Sequence, residues 1–448
     1  MAHSFDIIAI FAIMNIGELY LKFLECGGVT TDTRNCAPGL MFFALKGERF
    51  NGNDYIQQAL EQGCPYAVTD EPEKVRTDDG RTIVVGNVLK SLQELARMHR
   101  EKLSPVVLGI TGTNGKTTTK ELVTAVLSKK FNVLSTKGNL NNSIGVPLTL
   151  LTLEPGHEIA VIEMGASHPG DIEELVEICR PDYGLISNVG IAHLQGFGSF
   201  EGVKRTKGEL YDFIRRNGGS IFINGDNSDL KGMAGGLEAF EYGRSDCYQV
   251  SGRVIGCDPL LRISWKVKGG SDHTVRMNLT GTYNLDNILA AAAVGIRFGV
   301  DEDMISEALA GYVPKNNRSQ ITDTGRNRLV VDAYNANPTS MNAALDNFAM
   351  IAGNEGMLIL GDMRELGGYS RTGHTGILER IRKEGYHEVC LVGHEFSSAA
   401  ESVASDSWNV FEDTDALKKW LKRHCPEGRT ILVKGSNSMK LTEVVELL

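Results

Sequence analysis

The sequence predicts a three-domain α/β protein, and three observations carry that prediction. At 448 residues the chain is too long for one ordinary hydrophobic core. Buried-strand patterns alternate with helical ones from Pro105 onward and again beyond Pro314, as parallel sheets covered on both faces require. A glycine-containing turn, Gly112-Thr-Asn-Gly-Lys-Thr-Thr, sits at a strand–helix junction. The expected domains are residues 1–103, 104–313 and 314–448.

The first domain mixes short apolar runs (Gly39–Leu45, Tyr66–Thr69, Ile83–Val85) with a helical pattern over Ser91–Arg100. Ahead of it Ile7–Ile16 is apolar, yet no Lys or Arg precedes it, no small-residue cleavage site follows, and it is too short to span a bilayer. Met14 is the expected start, with residues 1–13 an upstream extension. In the central domain the strand Val106–Thr111 leads into a helical run over Lys116–Lys130. Glu158–Met164, Tyr183–Val189 and Ser220–Ile223 read as further strands, and Asp171–Cys179 and Phe200–Arg216 as helices. A stretch over about 246–280 has an antiparallel pattern, before a helix at Tyr283–Phe298. The third domain offers strands at Leu329–Ala333, Met357–Leu360, Val389–Val392 and Thr430–Val433. That is an open sheet, whose ligands belong beyond the carboxyl ends of its strands.

Composition narrows the function classes. Hydrophobic residues make up 42% and charged residues 23% of the chain, with a net charge of -10. Binding to nucleic acid or an anionic membrane needs a basic footprint that this balance does not supply. Eight scattered cysteines without a C-x-x-C pair suit reduced thiols in a cytoplasmic protein better than a disulfide framework or zinc site.

The turn after Thr111 is the first chemical motif. Gly112, Thr113, Asn114 and Gly115 can turn backbone N–H groups toward phosphate oxygens, and the helix start adds positive potential. Lys116 is expected to reach the β- and γ-phosphates, the Thr117 hydroxyl to bind Mg²⁺, and Thr118 to follow them at the helix start. A strict P-loop has glycine at 110, where this chain has Ile110. The bland alternative is a plain glycine turn. A P-loop by itself suits a kinase, a switch or a motor equally.

With Thr111-Gly-Thr-Asn-Gly-Lys-Thr-Thr the chain resembles the Mur ligases and their relative folylpolyglutamate synthase, over essentially everything after Met14. The resemblance implies that ATP phosphorylates a substrate carboxylate and that an amine then attacks the acyl phosphate. It implies Glu163 and His193, after neighbouring strands, as ligands of a second Mg²⁺. A capping carboxylate and an ordinary loop histidine are their bland readings. Lys207 matches a family lysine carbamylated by CO₂, with Lys204 as the register alternative. Asn287, one turn after Asn284 in Gly281-Thr-Tyr-Asn-Leu-Asp-Asn, matches the family's adenine contact. Arg318 resembles an arginine that swings onto the γ-phosphate, and Asp332 the acid that helps close the site, excluding water from the acyl phosphate.

Two segments discriminate among members. Lys137-Gly-Asn-Leu-Asn-Asn-Ser, with Asn139 and Asn142, and Asp332-Ala-Tyr-Asn-Ala-Asn-Pro-Thr, with Tyr334, Asn335 and Asn337, resemble the D-alanyl-D-alanine-adding member. Thr31, Thr33, Arg34 and Lys46 resemble the family's UDP-binding residues. The implied substrates are UDP-N-acetylmuramoyl-tripeptide and D-alanyl-D-alanine, in a cytoplasmic protein expected to be a monomer. The implied architecture is a small α/β UDP-binding domain, a central P-loop ATPase domain with a parallel sheet, and a C-terminal Rossmann-like α/β domain. Lys434-Gly-Ser-Asn resembles the family's last strand end and is given a structural or lid role. A Mur ligase adding one amino acid and a P-loop NTPase switch remain as alternatives.

Overall fold

The computed structural model describes residues 13–75, 80–314, 320–403 and 407–448. They form two compact units, one comprising the chain up to Val107 with Leu134–Met164 and Glu174–Pro181, the other Leu108–Val133, Gly165–Glu173 and Asp182–Leu448.

In the first unit four short strands, Gly28–Thr30, Leu40–Phe43, Ala67–Thr69 and Thr82–Val84, lie side by side in that order, all parallel. Phe42 and Phe43 alternate to opposite faces and are both buried. The helix Ile16–Leu24 starts on a capping box between Asn15 and Glu18, which satisfies the N–H groups its first turn would leave open. Asn87 caps the helix Val88–Leu103, three residues before the periodicity suggested. The strand Ile159–Glu163 lies beside Val133–Ser135 in this unit, and Thr136 N–H donates to Val161 O at 3.1 Å.

The second unit carries two sheets. In the larger, the strand Val106–Thr111 pairs with Tyr183–Ile186 through Leu108 to Thr111, and Ser220–Asn224 and Ala239–Gly243 follow, all parallel. Val250–Cys257, Leu261–Val267 and His273–Arg276 extend it, the last two joined antiparallel, as the pattern over 246–280 predicted. The helix Lys116–Leu127 follows the first of these strands. Against it lies Asn284–Arg297, whose alanine-rich run is buried almost throughout. Gly295 permits that closeness, since a Cβ there would lie 2.5 Å from Val126 Cγ1.

The smaller sheet runs Gln320–Asp323, Arg328–Asp332, Thr430–Lys434, Met357–Gly361, Val389–Val392, Asn409–Phe411. Only its first pair is antiparallel. Its four inner strands are those the sequence shows. The two edge strands escaped notice because their residues are mostly part-exposed and lack an apolar run.

Candidate active site

The P-loop is held from one side by the segment just past a neighbouring strand. Asn188, just past the strand Tyr183–Ile186, accepts from Asn114 N–H on its Oδ1 and from Thr113 N–H on its backbone oxygen, both at 2.9 Å. Ser187 Oγ donates to Asn114 O at 2.6 Å. Gly112 and Gly115 have φ of 146° and 77°, where side chains are disfavoured. Close approach demands glycine as well: a Cβ would stand 2.0 Å from Ser187 Oγ at Gly112 and 2.5 Å from Asn287 Oδ1 at Gly115. Lys116 Nζ donates to Gly112 O at 2.7 Å, which folds the ammonium over the loop. Thr117 is buried at the first turn of the helix. Asn188 carries no motif of its own; its place directly after a strand end beside the loop is the signal that could have found it.

A cavity of about 200 Å³ opens beside the loop. Asn114, Gly115 and Thr118 of the loop and the helix after it line the cavity. Asn284, Asp286 and Asn287 line it too, as do Asp332 and Lys434 from the smaller sheet and Thr339 from the helix Pro338–Ala352. Asp332 and Lys434 are register partners at the ends of adjacent strands, where Lys434 Nζ donates to Asp332 Oδ2 at 2.6 Å and to Asn335 O at 3.2 Å. Lys434 is thus a buried cation holding Asp332 and the turn after it, and the lid-or-structural reading missed its place on this cavity. Asn337 caps the helix Pro338–Ala352 through its Oδ1, while its Nδ2 donates to Asn114 Oδ1 at 2.9 Å. Tyr334 is half-buried. Arg318 lies outside the described residues.

His193 has φ 50° and presents its ring edge-on to Phe197. Its Nδ1 meets the Glu365 carboxylate, and Gln195 N–H donates to Glu365 O at 3.3 Å. Burial holds the His193 pKa below its ordinary value, against the opposing pull of Glu365. Lys207 is 2% exposed and stands over the Phe197 ring at 5.5 Å. Burial and then the Lys116 charge push its pKa well down. Lys204 is the opposite case: it pairs with Asp229 at 3.1 Å and Glu201 at 3.4 Å, and those bonds raise its pKa.

In the first unit Glu163 ends its strand buried, with its N–H donating to Thr136 Oγ1 and its Oε1 accepting from Asn141 Nδ2, both at 2.9 Å. The asparagine loop therefore serves Glu163 through Asn141. Asn142 Oδ1 caps the next helix by accepting from Gly145 N–H at 2.8 Å, and Asn139 O accepts from Asn141 N–H. Among the residues expected to hold UDP, Lys46 is paired with Asp70 at 3.0 Å and Glu71 at 2.9 Å. Arg34 is paired with Asp32, whose carboxyl its guanidinium holds down to about 2. Thr33 O accepts the Cys36 N–H, and Thr31 is part-exposed beside them in sequence.

Taken singly, the two oxygen donors expected for a metal are each of a kind Mg²⁺ takes, and the His193 imidazole is softer. A threonine hydroxyl and a buried carboxylate are hard oxygen ligands. Among the described residues no three His, Cys, Asp or Glu side chains gather into a cage, and a Mg²⁺ held largely by phosphate oxygens and water needs none.

Known proteins match this chain along most of its length. Residues 25–106 match the Mur ligase family, catalytic domain; residues 110–295 the Mur ligase middle domain; and residues 317–437 the Mur ligase, glutamate ligase domain. The chain belongs to the Mur ligase family. Among relatives in that family, the UDP-N-acetylmuramoyl-tripeptide--D-alanyl-D-alanine ligase of Escherichia coli (strain K12) is 36% identical over 96% of each chain. Its counterpart from Bacillus subtilis (strain 168) is 34% identical over 94% of this chain and 92% of its own. Among solved Mur ligases, a MurF from Acinetobacter baumannii superposes with a TM-score of 0.84 at 29% identity over 93% of both chains. A MurF ligase from Thermotoga maritima in complex with ADP gives 0.82 at 27% identity, over 95% of this chain and 97% of its own.

Proposed function

We propose that the chain joins D-alanyl-D-alanine to the terminal carboxylate of a UDP-N-acetylmuramoyl-tripeptide, forming the pentapeptide with release of ADP and phosphate in cell-wall precursor synthesis. The observation that carries this reading is a P-loop with its lysine and threonine in a Mur ligase chain similar end to end to enzymes named for that reaction. One carboxylate oxygen takes the γ-phosphoryl group from ATP; the dipeptide amine then attacks the carbonyl carbon, the C–O bond breaks, and phosphate leaves with that oxygen. Both anions must meet in one place, so fixed cations and dipoles lower the barrier.

In this reading Lys116 and the P-loop hold the triphosphate, with Thr117 as a ligand for one Mg²⁺ and Glu163 and His193 for a second. When bound, Mg²⁺ supplies the charge neutralisation that lets carboxylate and triphosphate approach. Lys207, carbamylated, adds an anion near the metal. Its burial beside Phe197 supports that role over Lys204, because only the neutral amine takes up CO₂. Asp332, held by Lys434, and Arg318 complete the site from the C-terminal domain. Thr31, Thr33, Arg34 and Lys46 face the UDP group, and Tyr334, Asn335 and Asn337 the dipeptide. The domains of this reading are residues 1–103, 104–313 and 314–448, in a cytoplasmic monomer. Among the described residues no helix is long and apolar enough to cross a membrane.

An isotope experiment tests the chemistry. With ¹⁸O in the acceptor carboxylate, one ¹⁸O atom should appear in the released phosphate for each peptide bond formed. Phosphate free of label would exclude the acyl phosphate.

A further inference from the structure

The cavity beside the P-loop is lined both by the loop and by the head of the helix Asn284–Arg297. With the triphosphate over Asn114, Gly115 and Thr118, the head of that helix is cavity lining left for the nucleoside. That step rests on the nucleotide reading above. The two carboxamides there are engaged within the protein. Asn284 Nδ2 donates to Thr280 O at 2.8 Å, and its Oδ1 accepts from Asn287 Nδ2 at 2.9 Å. Asn287 Oδ1 accepts from Thr119 Oγ1 at 3.0 Å, directly beneath Gly115. Asn287 is therefore a prop of the loop first.

Asp286 differs from both. Arg244 approaches its Oδ1 at 3.0 Å, yet the same guanidinium also reaches Asp226 Oδ2 at 3.4 Å. One cation serves two carboxylates, and it is 52% exposed, so water screens what it offers. Asp286 itself is only part-exposed and borders the cavity. A carboxylate so placed has acceptor capacity beyond what Arg244 can fill. Burial, which disfavours its charge, makes a further donor from the ligand more valuable.

We infer that Asp286 is a specificity residue for the nucleotide, accepting a hydrogen bond from an N–H or O–H donor of the nucleoside. Two donors have this chemistry, the exocyclic amine of adenine and a ribose hydroxyl. A base bearing a carbonyl in place of the amine would meet Asp286 acceptor to acceptor and leave both groups without a donor.

The test is calorimetric binding of ATP, 2′-deoxyATP and ITP, each with Mg²⁺, to the full chain. Wild type should favour ATP about tenfold or more over one analogue: over ITP if the amine is the donor, over 2′-deoxyATP if a ribose hydroxyl is. Asp286→Ala should weaken ATP to the level of that analogue and leave the analogue unchanged. Asp286→Asn keeps the size of the side chain and adds a donor, so it should narrow or reverse the preference for ATP over ITP if the amine is read. Wild type binding all three alike, or Asp286→Ala retaining the wild-type preference, overturns the inference while the nucleotide site stands. Wild type binding none of the three overturns the nucleotide reading and this one with it.

Discussion

In the role proposed for Lys207, burial prepares the side chain for chemistry its free form does poorly. An ammonium has no lone pair for CO₂; a neutral amine adds it, releases a proton and becomes a carbamate. Two causes favour the neutral form here, the low-dielectric surroundings and the nearby Lys116 charge. Lys207→Ala should therefore lower turnover by about 10²-fold or more, and short carboxylic acids such as acetate should restore part of it by supplying the lost anion. Full activity in that variant would exclude the role. The choice between Lys204 and Lys207 was not legible in the sequence, because both lie on one helix among charged neighbours. Their surroundings differ in ways that favour the proposal for Lys207: Asp229 pairs with Lys204, and Lys207 lies over Phe197. The same limit applies to Lys46 and Arg34. Their charge was legible, but not the acids already paired with them.

At the scale of elements, the ends of strands and helices carry the site, and one of them is sensitive to pH. Asp362, fully buried after the strand Met357–Gly361, accepts from Phe396 N–H at 2.9 Å and so fixes the start of the helix His394–Val403. His374 packs beside it with both ring nitrogens engaged: Nε2 accepts from Met363 N–H at 3.0 Å and Nδ1 donates to Ser370 O at 2.8 Å. Protonation would break the first bond. Burial lowers the His374 pKa from its ordinary 6.5, despite opposing contributions from Ser370 and Asp362. The unfolded state then binds more protons below pH 6.5, so the stabilisation is present above that value and lost as pH falls from it. The slope from this residue is at most about 1.4 kcal/mol per pH unit. Urea midpoints at pH 7.5 and 5.5 should differ less in His374→Gln, whose amide oxygen can still accept, than in wild type. Equal differences would remove His374 as the cause. Apolar strands flanked by helices made the inner strands of the smaller sheet legible. The pairing at their ends was not, since Asp362, His374 and Ser436 are close only once the sheet has formed.

For the molecule as a whole, the sequence carries more of the function than of the geometry. The P-loop tells of a phosphate because its glycines answer both a backbone conformation and a close contact. Long-range neighbours escaped notice for the converse reason. Asn188 and Asp286 are ordinary residues that meet only in the cavity they line, where Lys434, noticed for its strand end, joins them. The whole account depends on one coupling, in which ATP is consumed only when an amine receives the activated acyl group. Phosphate release measured with ATP, Mg²⁺ and UDP-N-acetylmuramoyl-tripeptide, with D-alanyl-D-alanine added or omitted, tests it directly. The account predicts steady release only with the dipeptide, matched mole for mole by a pentapeptide product identified by mass. Release at the same rate without the dipeptide, and no pentapeptide, would contradict it.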